Sequence, residues 1–115
     1  MLITRYTVNG YGIFTQMNEL YKADEEALMD EMDWQEFMHV EYFFDRNLPM
    51  PDIERDERKK SRSWFTQKGL DMFHDELESL LYLYKKYIGE PEIHVMEVSD
   101  KDVIYADEYQ ILISA

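Results

Sequence analysis

TQKGLDMFHDELESLLYLYKKYIG, residues 66–89, is the stretch that organises the rest of the chain. Thr66 is a favourable N-cap, because its hydroxyl can accept from a free amide of the first helical turn. Phe65 and Leu70 occupy the two positions of a hydrophobic staple across that cap. Leu70, Phe73, Leu77, Leu80, Leu81, Tyr84 and Ile88 then recur at three- and four-residue spacing and form one apolar stripe. Lys85 and Lys86 suit the negative end of the helix dipole. Gly89 suits a left-handed residue beyond the last turn, and Pro91 stops propagation. The pattern predicts one helix over 66–88, about 22 residues and roughly 33 Å long.

Downstream, EIHVMEV (92–98) alternates as a strand does, SDKD (99–102) is a turn, and VIYADEYQILI (103–113) gives one bent strand or two short ones. Upstream, NLPMPDIERD (47–56) holds Pro49 and Pro51 and reads as a loop. Two helix starts precede it. Asp24 can cap one. Asp33 with Glu36, in the order D-W-Q-E, is a variant capping box for a second over 34–44, although HVEYFF (39–44) also admits a strand. That helix would present Trp34, Phe37, Met38 and one or more of Val40, Phe43 and Phe44. At the N-terminus LITRYTV (2–8) is an alternating, β-branched strand that ends at the turn pair Asn9-Gly10. Residues 10–21 fit either a return strand or a helix. QMNELYK contains no β-branched residue, which favours the helix.

The expected fold class is α+β: a three- to four-stranded, mostly antiparallel sheet from both ends of the chain, packed against several helices. A length of 115 residues predicts a single domain over 1–115. With 45% hydrophobic and 15% aromatic residues there is material for a core. The N-terminus has no long apolar run, so no secretory leader is expected, and no stretch approaches the ~20 apolar residues of a membrane span. The absence of cysteine excludes disulfides and thiolate chemistry and fits a cytoplasmic location.

No catalytic motif is present. No serine stands in G-x-S-x-G, and Gly10 and Gly12 are not extended into a nucleotide fingerprint, so no cofactor is expected. His39, His74 and His94 are far apart. The pair His74 and Glu78 shares a helix face, but a metal site needs three or four ligands, and none is expected. The carboxylate pairs follow from having 25 acids in the chain, and they predict solvated surface.

Charge carries the strongest functional signal. The net charge is −13. Residues 19–54 hold twelve acids and two bases, net −10, and residues 90–108 hold seven acids and one base, net −6. Between them, residues 55–68 hold six bases and two acids, net +4. The island has two readings. One is internal neutralisation of the acidic elements, at well under ~1 kcal/mol per exposed pair. The other is a local anion site built from Arg55, Arg58, Lys59, Lys60 and Arg62 beside Trp64 and Phe65.

Acidity of this degree repels phosphate backbones and anionic membranes, so direct nucleic-acid and membrane binding are not expected. The natural complement is a basic protein. The expected function is therefore non-enzymatic protein binding through an acidic face made by Asp24, Glu25, Glu26, Asp30, Glu31 and Glu36, with Met29 or Tyr42 as apolar anchors. Carboxylates on rigid helices can imitate duplex phosphates. Small acidic phage inhibitors of restriction or CRISPR enzymes often work in this way, an analogy of charge and size with no shared motif. The more specific expectation is an inhibitor whose partner is a DNA- or RNA-handling protein. Two other readings stay open: a small ligand-binding domain or enzyme with a pocket between the long helix and the sheet, and a homo-oligomer assembled on leftover apolar surface.

Overall fold

The computed structural model describes residues 1–114. Strand β1 (Leu2–Val8) turns at Asn9 and Gly10 into a two-residue strand β2 (Tyr11–Gly12). Both turn residues have positive φ, 52° and 84°, which is the conformation an Asn-Gly pair favours in a two-residue hairpin loop. The chain then enters helix α1 (Met17–Glu25), so the open segment 10–21 holds both a short return strand and a helix. Next come α2 (Glu31–Asn47), the short α3 (Arg55–Lys59), strand β3 (Ser61–Phe65), α4 (Gln67–Met72), α5 (His74–Tyr87), and strands β4 (Pro91–Glu97), β5 (Val103–Ala106) and β6 (Gln110–Ser114).

The class is α+β, but the sheet has six strands instead of three or four, and every pairing is antiparallel. β4 runs the full length of one edge of β1, from Leu2 opposite Glu97 to Val8 opposite Pro91. β2 and β3 share the other edge. Thr7 and Val8 pair with β2, whereas Thr4 pairs with Phe65 of β3. β6 continues from β3, and β5 from β6. β3 lies within the basic island, where SRSWF offers no apolar alternation; pairing with buried β6 makes it a strand.

The predicted long helix is broken. Thr66 does cap it, accepting from Gly69 N at 3.0 Å, and its end near residue 87 is as expected. At Phe73, however, φ is −104° and ψ 20°, and α4 and α5 part there. The cause is tertiary. Phe73 is fully buried, stacked on Phe44 at 4.7 Å and edge-on to Phe43 and Tyr109. Bending lets α4 sit on the β5–β6 turn while α5 packs along α2. Gly69 is required for that seat, because a Cβ there would overlap the Tyr109 carbonyl oxygen. Gly89 is not left-handed, contrary to the expectation. Its missing side chain instead leaves room for Asn9, whose side-chain oxygen would lie 2.9 Å from a Cβ.

The two early helices also start elsewhere than predicted. Asp24 lies near the end of α1, not at a helix start, because Leu20 and Ala23 pull the preceding turns into the core. α1 ends in a Schellman motif: Leu28 N donates to Ala23 O at 2.8 Å and Ala27 N to Asp24 O at 2.9 Å, with Ala27 at φ 58°. The N-cap of α2 is Asp30, accepting from Asp33 N at 2.9 Å, one turn before the predicted cap at Asp33. HVEYFF is helical throughout.

The main core joins Leu20, Phe37, Val40, Leu77, Leu80, Leu83 and Tyr84 to Val8 and Phe65 of the sheet. Each fully buried side chain of this size contributes roughly 1.5–3 kcal/mol. A smaller cluster, Ile3, Ile111 and Ile113 with Trp64, occupies the other face. Among the described residues no helix is long and apolar enough to cross a membrane.

Candidate functional site

The acidic face is built by the α1–α2 junction. The Schellman turn and the Asp30 cap fix residues 24–33, so the carboxylates stand on rigid ends rather than on a mobile loop. Glu25, Glu26, Asp30, Glu31 and Glu36 are exposed, and Asp24 is half-buried. The junction is not uniformly negative. Lys86 of α5 reaches Asp33 at 2.7 Å and Asp30 at 3.1 Å, and the Tyr87 hydroxyl donates to Asp33 at 2.6 Å. The amide of Asp33 and the ammonium of Lys86 together hold the Asp30 carboxyl below its ordinary range, and the two aspartates push the Lys86 ammonium upward. Glu25, Glu26 and Glu36 have no ion pair among the described residues.

Of the two expected anchors, Tyr42 is exposed and Met29 is not. Met29 is buried at 8% exposure and belongs to the core, which takes it out of any contact surface. Tyr42 is exposed but engaged by Arg46, whose guanidinium donates to its hydroxyl at 2.5 Å. Leu28 and Met32 are 65% and 81% exposed and stand among the carboxylates. Sequence reasoning missed both. The αL residue Ala27 turns the chain so that Leu28 faces water while Met29 goes in.

The basic island divides. Arg55, Lys59 and Lys60 are exposed on α3 and its end. Lys68 pairs with Glu108 at 3.0 Å and is the one member of the island with an ion pair among the described residues. Arg58 and Arg62 instead line a cleft of about 530 Å³, and Arg5 of β1 joins them. Arg5 stands where the edge of β1 passes from β3 to β2, and donates to Ser63 O at 3.1 Å. Burial draws its guanidinium pKa down, and nearby Arg62 draws it further. Gly12 leaves the room that Arg5 occupies, since a Cβ would lie 2.8 Å from its Nη2.

The cleft lies between the sheet, the 12–17 turn, the end of α2 and the proline loop. No residue of α4 or α5 lines it; Phe65, Phe73, Leu77 and Leu80 belong to the main core. The walls of the cleft are tied down by buried polar groups. Gln110 donates to Pro49 O at 2.6 Å and accepts from Ser63 Oγ at 3.0 Å, Gln16 donates to Val8 O at 2.5 Å, and the Tyr84 hydroxyl donates to Ile13 O.

His74 lies 3.2 Å from Asp75 and 3.5 Å from Glu78 on α5, with all three side chains exposed. Their approach follows from helical spacing and opposite charge. On β4, Ile93 and Val95 are 61% and 57% exposed, and among the described residues the outer edge of this strand is unpaired. No protein-family model, no curated protein and no solved structure matches this chain.

Proposed function

We propose that this chain binds a basic protein through the α1–α2 junction. One observation carries the reading: Leu28 and Met32 stand exposed near Glu25, Glu26 and Glu36, and those carboxylates have no ion pair among the described residues. An apolar anchor rimmed by unpaired charge supplies contact area from the one and steering from the other. Lys86 neutralises Asp30 and Asp33, and Asp24, Glu25, Glu26, Glu31 and Glu36 have no ion pair among the described residues. A partner with a basic groove that ordinarily holds a nucleic acid fits this surface, and occupying that groove would make the chain its inhibitor.

The test is capture on immobilised protein across a salt series, with two variants run beside the native chain. Charge neutralisation (E25Q, E26Q and E36Q together) and anchor removal (L28S with M32S) touch exposed groups and leave the fold intact. The same retained protein should elute steeply with salt from the native chain and be lost from both variants. Equal retention by either variant, or retention indifferent to salt, overturns the reading.

A further inference from the structure

We propose that the cleft between the sheet and the C-terminal end of α2 binds a small amphipathic monoanion, its carboxylate gripped by Arg58 and Arg62 and its apolar body laid on Phe14, Leu48 and Phe65.

The arginines of the cleft lack carboxylate partners among the described residues. In a chain with 25 acids and 12 bases, a guanidinium has carboxylates to spare. Yet Arg5, Arg58 and Arg62 converge on one cleft, and none makes an ion pair among the described residues. The Nη1 of Arg58 meets only the sulfur of Met50, at 3.2 Å, a weak acceptor. Its Nε is shut off from solvent and has no partner among the described residues. The guanidinium nitrogens of Arg58 and Arg62 thus keep donor capacity that a ligand oxygen in the cleft can take up. Guanidinium groups match the two oxygens of a carboxylate.

The floor is apolar, and the volume lies within the range of small-molecule sites. The ties from Gln110 to Pro49 and from Tyr84 to Ile13 hold the walls before any ligand arrives, so little ordering opposes binding. Glu41 and Asp45 also line the cleft, and the Tyr21 hydroxyl donates to Glu41. These carboxylates repel a second negative group. The preferred ligand therefore carries one charge at one end.

The probe is octanoate, with neutral 1-octanol as its control, followed by amide chemical shifts at low salt. Octanoate should produce saturable shifts at residues 12–17, 48–51, 61–65 and 110–112. Octanol should bind about tenfold more weakly or worse, and R58Q and R62Q should each weaken octanoate about tenfold. Arg62 is exposed, so R62Q retains the fold and keeps the test decisive if R58Q does not. Equal binding of octanol and octanoate, shifts elsewhere on the surface, or indifference to R62Q overturns the proposal.

Discussion

Replacing Gly69 by alanine sets local propensity against tertiary packing. Gly69 is inside α4, where alanine is ordinarily favoured by about 1 kcal/mol. The added Cβ, however, would overlap the Tyr109 carbonyl oxygen and lie 3.0 Å from its carbon and 3.1 Å from its Cα. Backbone atoms cannot swing aside as a flexible side chain would, and this turn is fastened. The same Tyr109 oxygen accepts from Thr66 N at 3.0 Å, the Glu108 oxygen accepts from Thr66 Oγ1 at 2.7 Å, and Tyr109 N donates to Asp107 Oδ1 at 2.8 Å. Relieving the overlap costs about 1–3 kcal/mol of strain plus about 1 kcal/mol for each hydrogen bond that opens. Set against the propensity gain, the net loss is about 2 kcal/mol, which lowers Tm by roughly 10 °C in a chain of this size. Thermal unfolding followed by far-ultraviolet circular dichroism reads this directly. A Tm for G69A equal to or above that of the native chain would refute the close seat of α4 on the β5–β6 turn.

Two further outcomes follow from single residues. Ala27 has φ 58° at the Schellman turn, so A27G should raise stability by about 0.5–1 kcal/mol in urea denaturation, and a loss would contradict the left-handed assignment. The Asp75 hydrogen bond and the Glu78 charge raise the His74 pKa above its model-peptide value of 6.5. A raised folded value means that this contribution is complete below pH 6.5 and fades as pH rises through the folded pKa. H74Q should therefore be less stable than the native chain at about pH 5 and match it at about pH 9, and an imidazole titration midpoint at or below the ordinary value would exclude the interaction.

Elements governed by neighbours in sequence were legible. Alternation in LITRYTV, the Asn9-Gly10 turn and the Thr66 cap each obey a rule that operates within a few residues, and each stands where the sequence placed it. The candidate sites were legible only in part. Charge counting found the acidic junction and two of the three cleft arginines. It could not find Arg5, which is 53 residues from Arg58 in the chain and reaches the cleft only through the β1–β3 pairing. Nor could it separate Leu28 from Met29, since exposure there turns on one left-handed residue.

The sequence by itself determined an acidic α+β chain, its first strand and turn, and the ends of its 66–88 helical region. Local periodicity, capping chemistry and composition suffice for those, because their energies come from adjacent residues. Tertiary structure alone decided the break at Phe73, the strand made from a charged segment, and which cations gather around the cleft. Those depend on partners far along the chain, whose burial outweighs local preference by several kcal/mol.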